Sequence, residues 1–69
     1  MPLRVELDRE DDGRWIADVP ALPGCLVYGD TREAALSGAL ALALHVLAER
    51  IEHGEPAPEL MHAVFEIAA

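Results

Sequence analysis

Lysine is missing from this chain: its five basic residues are all arginine, set against thirteen acidic ones, for a formal net charge of −8. A chain so dominated by carboxylate repels phosphate backbones, so direct nucleic-acid binding is not expected, whereas a basic partner would be attracted. The plainer account of the charge is solubility. Cysteine is nearly missing as well. The single Cys25 allows no intramolecular disulfide, and no Cys/His spacing of the zinc type occurs. No run of eighteen consecutive apolar residues is present, so a membrane span is not expected. The opening MPLRVELDRE is charged too early for a signal peptide. A cytosolic location follows, in keeping with the lone thiol. The five glycines are isolated, so there is no phosphate-cradling loop.

What is present is half apolar, with 52% hydrophobic residues in 69, much of it alanine and leucine in one segment. One domain is the natural count. A domain of this size buries only about 60% of its unfolded surface. With neither disulfide nor metal to brace it, self-association is the remaining common support for a small core.

Leu3, Val5 and Leu7 alternate with Arg4, Glu6 and Asp8, the period of a half-buried strand. Asp12-Gly13 then marks a hairpin turn, and Asp11 and Asp12 belong to a solvated tip. A second strand is expected from Arg14 to Val19, with Trp15, Ala17 and Val19 on one face and Ile16 and Asp18 on the other. Both faces carry apolar side chains, so the inward one stays open. Pro20 and Pro23 belong at strand ends, and Pro23-Gly24 suits a type II turn. Cys25 to Tyr28 is a third short strand, ended by Gly29.

Asp30 or Thr31 can cap the helix that follows, which should run from Arg32 to His53 and stop at Gly54. Leu36, Leu40, Ala43, Leu44, Leu47 and Ile51 form the stripe expected to face the sheet. Ala35, Ala39, Leu42 and Val46 lie about a quarter turn away. Leu42 and Val46 are therefore candidates for a subunit or partner contact, against the plainer view that they sit half exposed at the core's edge. After a connector from Glu55 to Glu59, Leu60 to Ile67 is prone to form a closing strand. The expected architecture is α+β, in the order β-β-β-α-β. An antiparallel meander is followed by a right-handed crossover that sets the last strand parallel to the first. The spatial order is then 3-2-1-4, with one long helix on one face and another chain or polar side chains on the opposite face.

The ordered set Asp12-Gly13, Trp15, Pro20, Leu22-Pro23-Gly24-Cys25, Gly29-Asp30-Thr31 and Ala35-Leu36 resembles the HicB-like antitoxin family of bacterial and archaeal toxin–antitoxin systems. The resemblance extends over nearly the whole chain. It implies a partial ribonuclease-H-like fold and a non-enzymatic role: binding and masking a small basic mRNA-cleaving toxin of the HicA type, often within a homo-oligomer. Fuller members carry a C-terminal DNA-binding module. This sequence reaches Ala69 directly after its last expected strand, so the resemblance is to the antitoxin core alone, and an orphan without a toxin is the alternative. For toxin binding, Glu6, Asp8, Asp11 and Asp12 are the candidate contacts, together with Leu42 and Val46.

Catalytic chemistry finds little footing. A two-metal nuclease needs several converging carboxylates, and Glu6, Asp8, Asp18 and Glu66 read more simply as surface charge on strands. His45, His53 and His62 are far apart, and Ser37 has no acid–base partner at a telling spacing. Cys25 follows a tight turn and is either a reactive thiol or, more commonly, a buried small hydrophobe. No catalytic residue, metal or cofactor is expected.

Overall fold

A computed structural model describes residues 3–55 and residue 68. Three short strands and one helix follow one another along the chain: β1 (Glu6–Arg9), β2 (Trp15–Asp18), β3 (Leu26–Gly29) and α1 (Arg32–Glu52). The strands form an antiparallel sheet in the order β1-β2-β3, with Leu7 opposite Ala17 and Ala17 opposite Val27. The fold is thus α+β, a three-stranded meander with one long helix. The expected closing strand, Leu60 to Ile67, lies outside the described residues.

Each connection follows from local chemistry. Between β1 and β2, the Gly13 N–H donates to the Glu10 carbonyl (2.9 Å) and the Glu10 N–H to the Arg14 carbonyl (2.7 Å). Gly13, at φ +92°, is the left-handed residue of a turn-plus-bulge hairpin. Between β2 and β3 two tight turns are stacked. The Leu22 N–H donates to Val19 across Pro20, and the Cys25 N–H donates to Leu22 across Pro23-Gly24. Gly24, at φ +83°, occupies the third position of a type II turn, as the dipeptide requires. At the helix start Thr31, not Asp30, is the cap: its Oγ1 accepts from the Ala34 N–H at 3.0 Å. At the helix end the Gly54 N–H reaches Ile51 and the Glu55 N–H reaches Arg50, the double closure of a Schellman motif.

The inward face of the sheet is the one carrying Trp15, Ala17 and Val19. Ala17 and Val19 are fully buried, and Leu3, Val5, Leu7 and Val27 pack beside them. The Leu22 side chain plugs the core from the corner. Onto this face α1 lies across β2 and β3, but not by the leucine stripe its spacing suggests. The buried helix residues are Ala35, Ala39, Ala43 and Leu47, flanked by the half-buried Leu42 and Val46. Leu40, Leu44 and Ile51 instead face outward, 46%, 54% and 47% exposed, and Leu36 is half-buried. Leu42 and Val46 are half-buried and pack against the core, as in the plainer of their two readings at its edge.

The reason is distance. At Gly29 a Cβ would come within 2.5 Å of the Ala35 amide nitrogen, and at Gly38 within 2.7 Å of the Val27 Cγ1. Where it passes Gly29 and Val27 the helix lies so close to β3 that only the small Ala35 and Gly38 fit there, while Leu47 fills the core farther along. Bulk comes from the sheet and the corner through Trp15, Val19, Leu22 and Val27. By length and composition alone α1 could cross a membrane, as could the core helix of a soluble protein. One of its sides is committed to the sheet.

Two substitutions test this docking. Gly38→Ala gains about 1 kcal/mol of helix propensity, but it drives a methyl into Val27. Overpacking of this kind costs about 1–3 kcal/mol, so a net loss of stability is expected in urea melts. Val27→Ala in the same chain should make the Gly38→Ala change favourable. Thr31→Ala should cost about 1 kcal/mol, read by the same melts.

Candidate functional site

The other face of the sheet has no described element over it. The strand register lays out its side chains in two rows. Glu6, Asp18 and Leu26 form one; Asp8, Ile16 and Tyr28 form the other. Leu26 is 44% and Tyr28 48% exposed, and Ile16 and Asp18 are half-buried. A shallow open groove runs along β1 on this side, lined among others by Arg4, Glu6, Asp8, Ile16, Asp18 and Leu26.

Electrostatics makes this face acidic in a particular way. Glu6 and Asp18 are direct cross-strand partners, and like charges so placed destabilise a sheet. Arg4 lies 3.4 Å from Glu6, but both side chains are largely in solvent, so the pair contributes little. Arg14 is already engaged. Its Nε donates to Asp12 Oδ2 at 2.7 Å, its backbone N–H donates to Asp12 Oδ1, and its guanidinium lies 4.6 Å from the Tyr28 ring centroid. These hydrogen bonds, the backbone one first, hold the Asp12 carboxyl below its ordinary value. Asp12 is therefore tied into the hairpin, while Asp11 stands in solvent at the tip. Arg9 is drawn to the end of the sheet, 5.8 Å from the Trp15 ring.

The residues that carry the family resemblance turn out to be architectural. Trp15 opens β2 and packs on the core. Pro20, Pro23 and Gly24 build the double turn, Gly29 lets the helix start close on β3, and Thr31 caps it. Cys25 belongs with them. It is 1% exposed, with its Sγ 3.7 Å from the Ala39 carbonyl oxygen. Burial pushes its thiol above the usual range, and the charge of Asp18 adds to the effect. That is the opposite of an activated nucleophile.

Among the described residues no group of three or more His, Cys, Asp or Glu could hold a metal ion. Glu6, Asp8 and Asp18 share a face without converging; Glu66 and His62 lie outside the described residues. His45 sits on the outer side of α1, beside a shallow hollow formed with Ala41, Leu44 and Ala48. His53 closes the helix, its Nδ1 2.8 Å from the Glu49 carbonyl oxygen. Of the expected contact residues, the sheet brings Glu6 and Asp8 together and adds Asp18. It places Asp11 and Asp12 at the far hairpin, and Leu42 and Val46 on the opposite side of the sheet. Ile16, Leu26 and Tyr28 were not singled out in the sequence. Their signal is strand alternation once the inward face is known.

The chain is similar to the UPF0150 protein Ta0767 of Thermoplasma acidophilum, 42% identical over 36 residues, which is 52% of each chain. The chain thus matches about half the length of that relative. No protein-family model and no solved structure matches it.

Cys25 gives a direct check on these assignments. At pH 8 the folded protein should react with iodoacetamide far more slowly than a free thiol. The rate should rise in urea along the unfolding transition. Prompt labelling of the folded chain would contradict the burial described here.

Proposed function

We propose that this chain is a HicB-like, antitoxin-type interaction module that binds and masks a small basic mRNA-cleaving toxin of the HicA type, and that it does so with the open face of its sheet. The fold order β-β-β-α, with signature residues at the turns, the corner and the helix cap, supports the family reading. The similarity to a UPF0150 protein is compatible with it. The partial ribonuclease-H-like fold and the 3-2-1-4 order belong to the same proposal.

One observation carries the choice of surface: three carboxylates, Glu6, Asp8 and Asp18, stand among Ile16, Leu26 and Tyr28 on one sheet face. The opposed pair Glu6 and Asp18 is under repulsion in the free protein. A guanidinium or ammonium group placed between them relieves it, and the neighbouring apolar side chains supply area that excludes water. Masking follows from geometry and charge together: the module covers the toxin's basic RNA-binding surface and presents carboxylates where phosphates would lie. Long-range attraction between the acidic chain and a basic partner speeds encounter more than it deepens affinity. A cytosolic setting and the absence of any catalytic role are part of this reading.

The test is co-expression with a HicA-like toxin, preferably one encoded beside this gene. Growth rescue and co-purification are expected. Glu6→Lys with Asp18→Lys should slow association roughly tenfold or more at low salt, with an unchanged circular dichroism spectrum. The deficit should shrink as salt is raised. Absence of a complex with every such toxin tried, or binding indifferent to both reversals, would defeat the proposal.

A further inference from the structure

Arg14 comes just before β2 and falls in alternation with Ile16 and Asp18, so it belongs to the open face of the sheet. It is held there from two sides. Asp12 accepts from its Nε at 2.7 Å and from its backbone N–H at 3.0 Å. Its guanidinium lies over the Tyr28 ring, 4.6 Å from the centroid. The Arg4–Glu6 pair on the same face is loose by comparison, a single contact of 3.4 Å largely in solvent. An ion pair as exposed as Asp12–Arg14 adds little to the stability of the free chain. What this clip supplies is a fixed orientation, and the side chain it lies against is Tyr28.

Tyr28 is about half exposed, in the cross-strand row of Ile16 and Asp8, with no described element over it. Tyrosine brings a large contact area with few rotatable bonds, and the energy of an interface concentrates on such side chains. A ring positioned before binding avoids the ordering cost of a free one. The ring already carries one guanidinium, so its remaining surface receives an apolar side chain better than a second cation. The partner's positive charge goes instead to Glu6, Asp8 and Asp18.

We infer, resting on the toxin-masking reading, that Tyr28, held by the Asp12–Arg14 clip, is the anchor of the partner-binding face, and that it receives an apolar side chain set within the partner's basic surface. The two parts of the face then do different work. The carboxylates act at long range and govern encounter. The clipped ring acts at contact and governs how long the complex lasts. Tyr28 is the contact residue, while Arg14 and Asp12 are positioning residues that act through it.

The test is binding kinetics of the full chain on the immobilised HicA-like toxin of the co-expression experiment, at low and raised salt. Tyr28→Ala should raise the dissociation rate roughly tenfold or more. It should leave the association rate and its salt dependence as in the native chain, the reverse of the pattern expected for Glu6→Lys with Asp18→Lys. Tyr28→Phe, which keeps the ring beneath Arg14, should stay close to native. Asp12→Ala should speed dissociation by a smaller factor, and Asp12→Asn, which keeps an acceptor for Arg14, should do so less. Added to Tyr28→Ala, Asp12→Ala should change nothing further. Asp12 lies outside the strands, so its variants test the same link with the sheet untouched. A complex that forms but dissociates no faster with Tyr28→Ala overturns the inference and leaves the toxin reading standing. So does an Asp12→Ala effect that is equally large without the ring. Absence of a complex with every such toxin removes both.

Discussion

The close approach of α1 to β3 governs the rest of this molecule. Gly29 lies against the Ala35 backbone, Gly38 lies over Val27, and the Cys25 thiol points to the Ala39 carbonyl. At such separations a leucine over Gly29 or Val27 would hold the two elements apart, so Ala35, Gly38 and Ala39 occupy the close stretch, and Ala43 and Leu47 complete the buried side of the helix. Larger side chains enter from the sheet and from the Pro-Gly corner. The outward turn of Leu40 and Leu44, the burial of Cys25 and the need for glycine at two positions all follow from this one packing distance.

That distance also explains what could be read from the sequence and what could not. The hairpin at Gly13, the type II turn at Pro23-Gly24 and the stop at Gly54 were legible, because each depends on chemistry within a few residues; the helix cap was narrowed to Asp30 or Thr31. The meander was legible from alternation and short connections. The inward helix face was not. Hydrophobic spacing favours the largest side chains, and α1 is apolar on so many sides that two stripes compete. What decides between them is the pattern of small residues, with Ala35, Ala39 and Ala43 recurring every fourth position and Gly38 beside them. Glycine within a helix, an apparent defect in one dimension, is the sign of close contact in three.

The candidate site was legible in part for a similar reason. Glu6 and Asp8 could be named from β1 alone, since alternation sets both on one face. Their pairing with Asp18, and the company of Ile16, Leu26 and Tyr28, needed the register between strands. Leu40 and Leu44 were misplaced by the rotation of the helix, whereas Leu42 and Val46 are half-buried at the core's edge, the plainer of their two readings. The acidic hairpin at Asp11 and Asp12 is divided in role: one residue holds Arg14 while the other stands in solvent.

A small α+β domain of this kind has two broad surfaces, and here they differ in character. The sheet exposes carboxylates beside apolar side chains, one pair of them set in mutual repulsion. The helix exposes leucine with no charge near its middle. Charge opposes self-association through the first, where a basic partner is the kind it would favour. Separation of this sort costs stability on both sides: like charges opposed across strands, and leucine left in water. A core limited by chain length has little to set against such costs. A partner that neutralised one face or covered the other would return what the isolated fold gives up, and would raise stability by mass action.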